Sequence, residues 1–236
     1  MDQKEVRSVT HDVGGAMGGV DRTGRGGSGG TAGLERSPLR GASAARVVVL
    51  ALLAASALAL AVAPVLMPAS YSWVAHTTSE SAAQGIAGAW LARLGLVMFG
   101  AGVLALVWWR HRWPPLARAG HAAFGVMMVA AAAFSARPWQ PGAAFDRTED
   151  LLHSMAASGI GIAFVVGVVA VLIPRWPAIG LVGPLAVAAS VLLPLGMTLW
   201  DGAAGALQRA MFAVAYVWYA DAARGIPADG ATGGPD

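Results

Sequence analysis

VVVLALLAASALALAVAPVLM, Val47 to Met67, runs for 21 residues without a charge. A helix rises about 1.5 Å per residue, so about 20 such residues cross the hydrocarbon core of a bilayer. In oil the backbone must bond to itself, and the stretch is predicted as a transmembrane α-helix. A cleaved signal peptide is the rival reading, but its apolar region is typically about 7–15 residues and follows a short basic start. Here the run is longer, it follows a 46-residue lead, and Ala61-Val62-Ala63 is followed by Pro64. The membrane-span reading is preferred.

Working outward, five further apolar segments follow, at about 89–109, 119–136, 151–173, 178–200 and 203–220. The expected fold class is therefore all-α, a polytopic bundle of six transmembrane helices over residues 46–224. Residues 1–45 carry eleven glycines and scattered charges of both signs. Such a segment cannot bury enough apolar surface to offset ordering, so a disordered Gly-rich cytoplasmic tail is expected there, and a second short tail over 225–236. Pro64, Pro184 and Pro194 fall within the expected spans, where kinks are expected. The turns Pro174-Arg175-Trp176-Pro177 and Asp201-Gly202 are tight and require antiparallel neighbours. Only 68–88 and 137–150 leave room for local structure between spans.

Composition agrees. The 236 residues are 56% hydrophobic and 12% charged, against about a quarter charged in ordinary soluble domains. So few charges cannot cover a water-exposed surface, whereas a lipid-facing surface should be apolar. The pI near 9.9 does not signal nucleic acid, because the arginines sit singly at the ends of apolar runs. The lipid bilayer is the expected partner. With no cysteine, disulfides, thiolate metal sites and cysteine nucleophiles are excluded. Which cofactor, if any, the chain uses is left open by the sequence.

Arginines set the expected orientation. With the N-terminus inside, the cytoplasmic side receives Arg36, Arg40, Arg46, Arg110, Arg112, Arg118, Arg175 and Arg224. The opposite side receives Arg93, Arg137, Arg147 and Arg209. Eight against four predicts N-in and C-in, in the plasma membrane. Trp108, Trp109, Trp113 and Trp176 then form an inner aromatic belt, and Trp73, Trp90, Trp139 and Trp200 an outer one. In the fourth span Gly159, Ala163 and Gly167 recur every four residues, a small-residue ridge for close helix packing.

The same topology gathers polar groups on the outer side: His76, Ser79 and Glu80; Asp146, Glu149, Asp150, His153 and Ser154; Asp201, Gln208 and Arg209. Asp150, Ser154 and Ser158 share one helix face. Glu149 and His153 lie one turn apart, and a carboxylate so placed can orient an imidazole for acid/base work or metal binding. His76, Glu80, Asp146, Asp150, His153 and Ser154 are therefore candidate catalytic residues, and His76 and His153 candidate metal ligands. Each also has a bland reading. Acids at 146–150 suit a helix N-terminus, and Thr77 with Glu80 fits a capping box. Arg209, about one turn inside the last span, is expected to pair with Asp150, Glu149 or Asp201, with Gln208 beside it as a polar companion. His121 is read as interfacial. No P-loop, His-Glu-x-x-His, Gly-x-Ser-x-Gly or dinucleotide fingerprint is present.

Tyr71-Ser72-Trp73-Val74-Ala75-His76-Thr77-Thr78-Ser79-Glu80, followed by Gly88-Ala89-Trp90-Leu91, resembles the first outer loop of a bacterial and archaeal membrane family, domain of unknown function 998. Asp146 and Asp150-Leu151-Leu152-His153-Ser154 resemble its second outer motif, and Gly205-Ala206-Leu207-Gln208-Arg209 is similar to the start of its last helix. The resemblance covers about 46–224. It implies a six-helix bundle with a shared outer polar constellation at His76, Ser79, Glu80, Asp146, His153, Ser154, Gln208 and Arg209, and no particular activity.

Three function classes remain: a lipid- or partner-binding membrane protein, which is the leading one; a membrane-embedded hydrolase or lipid-modifying enzyme; and a proton-coupled transporter.

Overall fold

A computed structural model describes residues 38–175 and 180–225. Of the expected tails over 1–45 and 225–236, residues 1–37 and 226–236 lie outside the described residues, as does Trp176-Pro177 of the turn, while 38–45 is helical rather than tail. Among the described residues every regular element is helical: α1 (Pro38–Val62), α2 (Thr78–Ser81), α3 (Ala89–Trp109), α4 (Pro115–Ala133), α5 (Arg147–Leu172), α6 (Val182–Leu199) and α7 (Ala204–Arg224), with short 3₁₀ turns between some of them. Five segments are long and apolar enough to cross a membrane: Ser43–Leu66, Ala89–Trp109, Pro115–Ala133, Arg147–Arg175 and Val182–Leu199. The protein is a multi-pass membrane protein. The expected sixth segment is α7, which at 21 residues is equally long but carries Gln208, Arg209, Asp221 and Arg224 and is not among the five.

The helix ends have local causes. α1 starts at Pro38, ahead of the apolar run; proline's fixed φ suits a helix's first turn. Pro115 likewise starts α4 before the predicted 119. α5 starts at Arg147 because the Asp146 side chain caps it, accepting from the N–H groups of Thr148 and Glu149. Of the three prolines expected to kink spans, Pro64 falls in a 3₁₀ turn after α1 and Pro184 in the first turn of α6, where a missing N–H costs nothing. Pro194 alone of the three is interior to a helix.

Neighbours in sequence pack against each other: α1 on α3, α3 on α4, α4 on α5, and α6 on α7, while α1 also meets α7 and closes a ring. Contact between α5 and α6 is sparse by comparison with α4 and α5. In a bilayer, helices associate through van der Waals packing and hydrogen bonds, so close approach at small residues matters. The predicted ridge on α5 serves this purpose. A Cβ on Gly120 of α4 would stand 2.8 Å from Gly167 Cα and 3.1 Å from the Ala163 carbonyl oxygen, and Gly159 faces Met127.

The centre is aromatic. Phe99 of α3 stacks on Tyr216 of α7 with centroids 4.2 Å apart. Tyr219, fully buried, is surrounded by Phe99, Phe124, Phe164 and Trp218. His121, read from sequence as interfacial, is instead fully buried. Its ring lies against Trp113 and Trp218, and its Nδ1 is 3.1 Å from the Tyr219 hydroxyl. Ser56 of α1 donates to the Gly95 carbonyl at 2.6 Å and shares a 2.6 Å hydrogen bond with Tyr216.

Candidate functional site: a polar chamber above an apolar cleft

One end of the bundle is capped by the 67–88 connection, the 134–146 connection and the first turns of α5 and α7. The cap is built by side chains that satisfy backbone groups. Thr77 and Glu80 form the anticipated capping box: Thr77 Oγ1 accepts from Glu80 N–H, and Glu80 Oε2 accepts from Thr77 N–H at 2.6 Å. Gln208 Oε1 accepts from Thr78 N–H at 2.6 Å. Arg93 donates to the carbonyls of Ala82 and Ala83. Gln84 joins the two connections through the backbone of Ser135 and Asp146.

Arg209 does not pair with Asp150, Glu149 or Asp201 as expected. Its Nη1 donates to the carbonyls of Trp73, His76 and Gly205, and its Nη2 to the Tyr71 hydroxyl at 2.7 Å. At the bend 73–76 the Val74 and Ala75 carbonyls accept from the first N–H groups of α7, those of Ala206 and Gly205, and the guanidinium with its five donors collects the Trp73 and His76 carbonyls. Gly205 is required here, because a Cβ would collide with the His76 carbonyl. Burial raises the Tyr71 phenol above its ordinary value, against the opposing pull of the Arg209 charge.

Under this cap lies a polar chamber of about 520 Å³. His76, Ser79, Glu80, Asp150, His153 and Ser154, all singled out in the sequence, line it together with Arg137 and Trp139. Asp146 does not line it and acts as the α5 cap, and Gln208 and Arg209 hold the roof. The two histidines are fixed by backbone. His76 Nδ1 accepts from Ser72 N–H at 2.9 Å, and its ring packs on Tyr71 and Trp139 at 5.3 Å from each. His153, 4% exposed, turns Nδ1 to the carbonyls of Ala131 and Phe134 at 3.0 and 2.8 Å.

The Glu149–His153 pair suggested by spacing is not formed. Glu149 Oε1 accepts instead from Ser135 N–H at 2.7 Å, and Asp150 Oδ1 from Arg137 N–H at 2.8 Å. The end of α4 exposes carbonyls and the chain beyond it exposes amides, and α5 supplies a partner to each. Among the described residues no three His, Asp or Glu groups come together as a metal site. Two buried polar atoms on chamber residues have no hydrogen-bond partner: His153 Nε2 and Trp139 Nε1. Sequence reasoning assigned Trp139 only to an aromatic belt; its position between Pro138 and Gln140-Pro141, in a rigid turn, was the available signal.

One turn further along α5 the environment changes. Ser154 lines the chamber, whereas Ser158 lines an apolar cleft of about 660 Å³. The cleft runs beside α5, α6 and α7, where α5 and α6 pack sparsely, and its inner wall includes Phe99, Phe124, Met128 and Phe212. Ser158, Ser190 and Gln208 are its polar lining residues.

Neither the curated proteins nor the solved structures include a match to this chain. Residues 49–225 match one family model, described as protein of unknown function (DUF998). With most of its length covered by that match, this multi-pass membrane protein belongs to the DUF998 family.

Proposed function

We propose that this protein binds an amphiphilic lipid, the acyl chain in the apolar cleft and the head in the polar chamber, from the outer leaflet of the plasma membrane. In this reading there are six spans with both termini in the cytoplasm. α7 is the sixth: its polar groups lie near its two ends, and residues 210–220 between them are uncharged. The excess of arginines at the opposite end supports an outward-facing cap.

The observation that carries the reading is the succession of Ser154 and Ser158 along α5, which brings a polar chamber within one helical turn of an apolar cleft. Ligand sites of about 300–1,000 Å³ with mostly apolar walls and a few oriented polar groups suit small apolar or amphiphilic molecules. Inside a bilayer the abundant molecule of that kind is lipid.

Gly161 provides the test. It lines the cleft, and a Cβ there would meet nothing within 4 Å, so a larger side chain enters open space. Gly161→Phe is expected to fill the cleft and abolish stoichiometric lipid co-purification while preserving the detergent melting temperature. Undiminished lipid retention in the folded variant would defeat the reading.

A membrane-embedded hydrolase or lipid-modifying enzyme is the second reading. It is favoured by the unpartnered His153 Nε2 in a chamber that also holds Ser79, Ser154 and Glu80. A proton-coupled transporter would need a polar route to the other end. The deepest candidate on that route, His121, is enclosed by Trp113, Trp218 and Tyr219, which argues against it.

A further inference from the structure

We infer that the chamber selects a zwitterionic head bearing N–H donors, the ammonium of an ethanolamine-type phospholipid. This rests on the lipid-binding reading above and specifies the chemistry of the head.

The hydrogen-bonding demands of the chamber are set by backbone. Carbonyl oxygens only accept, so His153 Nδ1, within 3.0 and 2.8 Å of two of them, carries the proton. In the neutral ring Nε2 is then a lone pair, buried and without a partner. His76 is fixed in the opposite tautomer. Its Nδ1 accepts from Ser72 N–H, so its Nε2 bears the hydrogen. Trp139 Nε1 is a donor only, also buried and unpartnered, and its ring lies against His76. A buried polar group left unpaired is costly, so a bound head that supplies the partners is preferred over one that does not.

The donors and acceptors come from different elements. α5 offers acceptors, the Asp150 carboxylate and His153 Nε2; Glu80 adds a second carboxylate, with one oxygen already bonded to Thr77. The connections offer donors, His76 Nε2–H, Trp139 Nε1–H and the Arg137 guanidinium. An ammonium on the first set and a phosphate on the second satisfy both. A choline head has no N–H for His153. A glycerol head has hydroxyl donors but carries no ammonium to set against the Asp150 and Glu80 carboxylates.

The experiment uses the full chain, purified and delipidated in detergent, with dioleoyl phosphatidylethanolamine, its monomethyl and dimethyl forms, phosphatidylcholine and phosphatidylglycerol. Bound lipid is counted by native mass spectrometry. Retention is expected to fall with each N-methylation and to be at least about tenfold lower for choline and for glycerol heads than for ethanolamine. His153→Asn keeps an N–H near the position of Nδ1 and removes the Nε2 acceptor. It is expected to fold, to bind ethanolamine and choline lipids alike, and to lose the tenfold preference. Equal retention of ethanolamine and choline lipids by the native chain, or an undiminished preference in His153→Asn, overturns the assignment while leaving cleft binding intact. Loss of all lipid binding overturns the assignment together with the lipid-binding reading. Glycerophosphoethanolamine, which lacks acyl chains, separates the sources of the head. Weak, His153-dependent competition supports a lipid, and binding as tight as the whole lipid overturns it in favour of a soluble ligand.

Discussion

Arg209 on α7 donates through Nη1 to the carbonyl oxygen of Trp73 at 2.6 Å, joining groups 136 residues apart in the chain. The same guanidinium reaches the His76 carbonyl and the Tyr71 hydroxyl, so together with the Gly205 and Ala206 N–H groups it ties the first connection to the last helix. His76 lines the polar chamber, and its ring position therefore depends on α7.

Replacing Arg209 by methionine removes the guanidinium from these oxygens and leaves the His76 carbonyl only the Tyr71 hydroxyl at 3.3 Å. Hydrogen bonds to a charged group contribute about 1.5–3 kcal/mol each, less where water can substitute. A loss of about 2 kcal/mol in unfolding free energy is expected, with faster proteolysis within 67–88. Arg209→Lys should recover part of the loss, because an ammonium cannot span all four acceptors. Unaltered proteolysis of the methionine variant would count against this role.

Two glycines on the same pair of helices should respond oppositely to alanine. At Gly120 a Cβ would lie 2.8 Å from the backbone of Gly167, which cannot rotate away. Overpacking of this kind costs about 1–3 kcal/mol, and Gly120→Ala should lower the melting temperature in detergent. At Gly161 the space is open, and alanine should stabilise the helix by about 0.5–1 kcal/mol. Equal effects at both sites would show that the α4–α5 seam is not as close as described.

The Ser56–Tyr216 hydrogen bond ties α1 to α7 at the point where the ring of helices closes. Interhelical hydrogen bonds in membranes average about 0.6 kcal/mol and reach about 1.7. Ser56→Ala and Tyr216→Phe should each destabilise modestly, and the double-mutant cycle should return a coupling in that range. Strict additivity would indicate that the two hydroxyls do not interact.

The absence of cysteine makes the orientation directly measurable. Single substitutions Gly142→Cys, in the capped connection, and His111→Cys, between α3 and α4, lie at opposite ends of the bundle. In intact cells a membrane-impermeant maleimide should label Gly142→Cys and should label His111→Cys only after permeabilisation. The reverse pattern would invert the proposed topology and turn the chamber to the cytoplasm.

Much of this organisation was legible in the sequence because it follows from local rules. Long uncharged runs must become helices in oil, which the five membrane-length helices bear out. Thr77 with Glu80 three residues later forms the capping box that its spacing announces. The polar residues of the chamber could be assigned to one end of the bundle because alternating spans put them there. What each of them bonds to could not be read. Glu149 and His153 have the spacing of a pair, yet both turn to the backbone at and beyond the end of α4. The last carbonyls of a helix lack intrahelical partners, but which side chain from another helix meets them depends on how the two helices dock. The same holds for Arg209 and the bend at 73–76. Hydropathy and spacing act within a segment, and so the sequence by itself determined the helices and which residues gather at the capped end. Partner choice, the burial of His121, and the adjacency of chamber and cleft arise from packing between segments, and only the tertiary structure decided them.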